Sequence, residues 1–123
     1  NFGHTFAHAY EASLGYTKKL NHGEAVILGM KTALSFSLKS NLLKKDEYCL
    51  INNHITNSKL PSDIKKFFKT QDLKKIMSFM LKDKKNYSDK ISLVLLKKIG
   101  SQIINKEYDK KNLSLFLKKE LSN

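Results

Sequence analysis

Between Gly23 and about Lys39 the apolar and small residues Ala25, Val26, Gly29, Met30, Ala33 and Leu34 recur at intervals of three and four. That is the period of a helix, and the pattern describes one that is buried. Asn21 stands where an N-cap is needed. Gly23, Ala25, Gly29 and Ala33 are small enough to let a second backbone approach closely, although Gly29 inside a helix costs about 1 kcal/mol relative to alanine. A chain with such a helix has to be assembled around it.

The remaining pattern reads as shorter elements. Phe2 to Leu14 has helical periodicity and stops at Gly15, a suitable C′ residue. Tyr16–Leu20 is a short polar connection. A third helix is expected from Lys45 to about Asn57, closing before Leu60-Pro61, which holds the one proline. Asp72 is expected to cap a fourth from Leu73 to about Leu81, with Leu73, Ile76, Met77 and Met80 on one face. After Asp83-Lys84-Lys85 the pattern changes: Ile91–Leu96 and Gln102–Ile104, around Gly100, read as a strand pair. Asp109 can cap a last helix to about Leu121. The expected fold is mainly α, a multi-helix domain with a small β-strand pair near residues 91–104. The 123 residues suit one domain, without repeats or an internal break.

The formal charge of +12 invites an acidic partner, nucleic acid first. All 23 basic residues are lysine, however, and base reading leans on the planar fork of arginine. Ten asparagines and many isoleucines accompany the lysines, the drift of an AT-rich coding sequence. A solvated lysine surface is therefore expected, not a nucleic-acid interface. No apolar run approaches the roughly 18 residues of a membrane span. A single cysteine, Cys49, excludes an internal disulfide framework and suits a reducing cytoplasm.

Three of the four histidines fall within the first 22 residues. His4 and His8 stand four apart on one expected helix, so their imidazoles share a face, and Glu11 joins that face three residues on. His22 opens the next helix, which a tight turn at Gly15 would bring back antiparallel. Imidazole nitrogens and a carboxylate from two adjacent helices suit a divalent metal, zinc first. Packing or capping histidines would give the same spacing. His54 is isolated and is assigned no role.

Asn1-Phe-Gly-His-Thr-Phe-Ala-His-Ala-Tyr-Glu-Ala, followed by Leu20-Asn-His-Gly-Glu-Ala-Val-Ile-Leu-Gly-Met30, resembles the signature of the 3-dehydroquinate synthases. That signature is N-x-G-H-[ST]-x-G-H-A-x-E, then H-G-E-A-V-x-x-G-M. Met80-Leu-Lys-Asp-Lys-Lys85 and the Lys90–Leu96 stretch are similar to the family's D-K-K block and the strands after it.

The resemblance implies conversion of 3-deoxy-D-arabino-heptulosonate 7-phosphate into 3-dehydroquinate and phosphate, a lyase step of the shikimate route to the aromatic amino acids. It implies NAD, which transiently oxidises a ring hydroxyl, and zinc or another divalent cation such as cobalt. Carried over position by position, His4 and His22 match metal ligands. His8 matches a histidine that handles protons and contacts substrate. Asn1, Lys84 and Lys85 match substrate-binding positions, with Lys84 favoured of the two lysines. Glu11 and Glu24 also match motif positions, where an outer role or a helix N-terminal charge is the better reading. Ala7 departs from the pattern, standing where the family usually has glycine.

The family's NAD-binding amino-terminal domain and the glutamate ligand of its metal lie upstream of these motifs, and the chain holds no glycine-rich nucleotide fingerprint. Residues 1–123 are therefore expected to be a partial carboxy-terminal domain, inactive alone, of a cytoplasmic enzyme that is a homodimer at full length. The expected partner is a small phosphorylated sugar acid, with neither nucleic acid nor membrane. Two alternatives are a related sugar-phosphate cyclase of the deoxy-inosose or valiolone synthase type, and a small basic helical binding module with structural histidines.

Overall fold

The computed structural model describes residues 2–15, 19–60, 62–82, 90–98 and 102–122, with the side chains of 98 and 102–105 left aside. The order of elements is α1 (His4–Ser13), α2 (His22–Lys39), α3 (Lys45–Asn57), two 3₁₀ turns (Ile64–Lys66 and Thr70–Asp72), α4 (Leu73–Lys82), β1 (Lys90–Lys98), β2 (Gln102–Asp109) and α5 (Lys110–Ser122). The mainly helical reading with one strand pair holds.

Helix α2 starts where its cap chemistry dictates. The Asn21 side chain accepts the Glu24 N–H at 2.8 Å, and the Glu24 carboxylate accepts the Asn21 N–H at 3.0 Å, a reciprocal capping box. Glu24 thus serves the helix N-terminus. Helix α1 ends at Ser13, with Leu14 as its C-cap and Gly15 in the left-handed region at φ 66°, as a C′ glycine allows.

The two helices meet backbone to backbone. A Cβ built on Gly29 would collide with the Gly3 carbonyl oxygen and lie 2.8 Å from the Ala7 Cβ. One built on Gly3 would lie 2.6 Å from the Gly29 carbonyl carbon. Gly3 also has φ 76°, a conformation that side chains strain to adopt. Ala7, in the place of the family's glycine, fits because Gly29 opposite it carries no side chain.

Beneath this contact Phe6, Tyr10 and Leu28 are fully buried with Phe68, Ile76, Met80, Leu113 and Leu117 in one core. The Tyr10 hydroxyl lies 2.7 Å from Thr32 Oγ1, which itself donates to the Leu28 carbonyl at 2.8 Å. With its proton given to that carbonyl, Thr32 accepts from Tyr10. Strands β1 and β2 pair antiparallel, with Ile91 opposite Tyr108 and Leu95 opposite Ile104. Ile91, Leu93 and Leu95 are buried at alternate positions, the period of a strand with one face on the core. The buried Ser37 hydroxyl of α2 accepts the Leu96 N–H at 3.2 Å and so ties β1 to α2.

Two expectations change. The strand pair runs to Asp109, past Ile104, because ladder pairing carries on through the polar stretch and Tyr108 sets its ring edge-on to Phe36 at 4.8 Å. Asp72 closes the second 3₁₀ turn by accepting the Lys69 N–H at 2.8 Å, a bond directed backward along the chain and away from α4. Asp109 ends β2 and directly precedes α5, where a cap is expected, with its carboxylate 3.9 Å from the Lys90 ammonium across the ladder.

Gly29→Ala should destabilise the chain by about 2 kcal/mol, since backbone overpacking outweighs the roughly 1 kcal/mol gained in helix propensity. Gly23→Ala, whose new Cβ meets nothing nearer than Asn21 Oδ1 at 3.5 Å, should be neutral or stabilising. Urea unfolding midpoints of the two variants check this; an unchanged midpoint for Gly29→Ala would contradict the contact.

Candidate active site

Gly3 faces Gly29 at one level and Glu11 faces His22 at the other, so α1 and α2 run antiparallel. His4, His8 and Glu11 lie along one face of α1. The His4 and His8 rings are 3.9 Å apart between centroids and tilted by 52°. Helix rise sets His4 about 10 Å along the axis from Glu11. His22, first residue of α2, turns its Nδ1 to Glu11 Oε1 at 3.1 Å. The result is a polar strip crossing two helices.

Exposure differs along the strip. The His22 side chain is 71% exposed and that of Glu11 13%, so the carboxylate is seated and the imidazole opens outward. His4 is exposed and His8 half-buried. The floor is rigid: Phe6 and Tyr10, from the opposite face of α1, stack at 6.5 Å, and Tyr10 meets Phe68 at 5.3 Å. Thr5 donates to the Ser92 carbonyl at 3.5 Å, which fixes α1 against β1.

Among the described residues no group of three or more histidine, cysteine, aspartate or glutamate side chains gathers closely enough to hold a metal. The donors fit one by chemistry: two imidazoles from separate helices, one with its ring oriented by a carboxylate. Asn1, Lys84 and Lys85 lie outside the described residues. Helix α4, which ends at Lys82, and β1, which begins at Lys90, both pack against α1. His54 sits exposed at the end of α3.

The chain shares its fold with part of a solved enzyme structure. It superimposes on 2-deoxy-scyllo-inosose synthase with TM-score 0.68 and 18% identity, covering 96% of this chain and 31% of that one. A structure of 2-deoxy-scyllo-inosose synthase with carbaglucose-6-phosphate, NAD+ and Co2+ gives TM-score 0.69 and 20% identity over 96% and 32%. Residues 1–86 match the family described as 3-dehydroquinate synthase C-terminal, and the chain belongs to that family. The 3-dehydroquinate synthase of Pelagibacter ubique (strain HTCC1062) is 59% identical over 122 residues, 99% of this chain and 33% of that protein. The one from Zymomonas mobilis is 34% identical over 99% of this chain and 32% of its own length. The chain thus spans about a third of the length of the curated relatives it matches.

Sequence reasoning missed a polar cavity of about 230 Å³ where Lys31 and Ser35 of α2, Tyr48 of α3, Ser62 and Glu120 of α5 meet. No motif announces it, because its residues come from four separate segments. Lys31 donates to Ser62 Oγ at 3.4 Å. Burial pushes the Glu120 carboxyl above the usual range, opposed by the Ser35 hydroxyl and the Lys31, Lys119 and Lys39 ammoniums.

The folded chain therefore holds the Glu120 proton more tightly than the unfolded one. Its contribution to stability falls as pH rises from the unfolded glutamate value of about 4.3 through the raised folded value. Glu120→Gln should flatten that slope and be more stable than the parent near neutral pH. Unfolding midpoints across this interval check it; a variant that loses stability at neutral pH would contradict it.

Proposed function

We propose that the chain is the metal- and substrate-binding part of a 3-dehydroquinate synthase, converting 3-deoxy-D-arabino-heptulosonate 7-phosphate into 3-dehydroquinate and phosphate in aromatic amino acid biosynthesis. The observation that carries this reading is the strip of His4, His8 and Glu11 on α1 with His22 across from it, on residues that match the family. The relatives named 3-dehydroquinate synthase favour this substrate over that of the deoxy-inosose enzymes, whose likeness lies in the fold.

His4 and His22 would hold a divalent metal, zinc or cobalt, with a further ligand from outside this chain. Such a metal supplies polarisation of substrate hydroxyls without changing its own oxidation state, and NAD, held mainly by an amino-terminal domain beyond these residues, supplies reversible hydride removal. His8, half-buried beside His4, would accept and return a proton at the substrate. Asn1 offers a donor and an acceptor to a polyhydroxy ligand, and Lys84 or Lys85 a cation to its carboxylate or phosphate.

Among the described residues no helix is long and apolar enough to cross a membrane. We place the enzyme in the cytoplasm, as a homodimer acting on a small phosphorylated sugar acid, with no nucleic-acid or membrane partner.

In the full-length protein, His4→Ala and His22→Ala should strip the metal while His8→Ala retains it. Metal content after dialysis decides, and equal loss from all three would contradict the role of His8. His8→Ala should lower kcat about a hundredfold or more with a smaller change in KM. Lys84→Ala should raise KM at least as much as it lowers kcat, and Lys85→Ala should do little. Steady-state kinetics separate these cases; a purely KM-type loss for His8→Ala would make His8 a binding residue.

A further inference from the structure

We propose that Glu11 is a positioning residue for metal binding: its carboxylate holds the His22 ring with the proton on Nδ1, so that Nε2 is the nitrogen presented to the ion. The inference rests on the reading of His22 as a metal ligand. An ionised carboxylate only accepts hydrogen bonds, so the 3.1 Å contact between His22 Nδ1 and Glu11 Oε1 requires the proton to sit on Nδ1. The lone pair of a neutral ring is then on Nε2, the edge turned away from Glu11.

Two further observations point to orientation rather than to stability. A contact with one partner 71% exposed contributes about 0–1 kcal/mol even when both partners are charged, so it does little for the fold. Glu11 also lies in the last turn of α1, which ends at Ser13, where a negative charge opposes the helix dipole. A carboxylate kept there at a cost to its own helix is accounted for by what it touches. Seated at 13% exposure on a helix clamped to α2 through Gly3 and Gly29, it is a fixed point against which the outward-facing ring is set.

The test uses the full-length protein with zinc as the probe and Glu11→Gln, Glu11→Ala and His22→Ala as variants. Zinc affinity should weaken on the order of 10–100-fold in both Glu11 variants, the range for loss of a carboxylate behind a metal-bound histidine. Imidazole ¹⁵N shifts of the metal-free protein should show His22 protonated on Nδ1 in the parent and a redistributed proton in Glu11→Ala. Unfolding midpoints should barely move, which separates the proposal from a structural role. If His22→Ala loses zinc while both Glu11 variants bind it as the parent does with the His22 proton unmoved, the positioning role is overturned alone. If His22→Ala retains zinc, the ligand assignment beneath it falls and the proposal falls with it.

Discussion

The close approach of Gly3 to Gly29 sets the geometry on which the rest of the molecule depends. With a collision awaiting any side chain at either position, α1 lies against α2 at backbone distance, and the line of contact continues to Glu11 and His22 at the other end. One face of α1 is thereby committed to the core through Phe6, Ala9 and Tyr10. Another is left to carry His4, His8 and Glu11.

The core beneath holds this arrangement stiff. Tyr10 is anchored by Thr32 and by Phe68, and β1 is fixed to α1 through Thr5 and to α2 through Ser37. Dense packing of this kind transmits small displacements instead of absorbing them, which suits a site whose imidazoles come from two helices. The donors remain on the surface: His4 and His22 are exposed, and fewer than three metal-binding groups converge among the described residues. The chain spans about a third of its relatives' length, and a metal held as proposed by His4 and His22 would take its further ligand from outside these residues.

Much of this was legible in the residues. Helix α2 could be read from its small-residue period and Asn21, and the end of Lys45–Asn57 from the following proline, because those signals act within a few positions. The histidine strip was legible for the same reason, since i, i+4 spacing fixes a shared face. Pairing across distance was less so. Asn105 to Asp109 looks polar and turn-like in isolation, yet ladder bonds to Lys90–Val94 make it strand. Asp72 resembles an N-cap, and its carboxylate bonds backward to Lys69. The Glu120 cavity draws on α2, α3, Ser62 and α5, so no local window contains it. Asn1, Lys84 and Lys85 were singled out by resemblance and fall outside the described residues.

The most direct test of the central claim, that α1 and α2 each contribute one imidazole to a metal, is the zinc K-edge absorption spectrum of the zinc-loaded full-length protein. The account predicts two imidazole nitrogens at about 2.0–2.1 Å from the metal, supplied by His4 and His22. A first shell without imidazole would contradict it, and so would a spectrum that His4→Ala and His22→Ala leave unchanged.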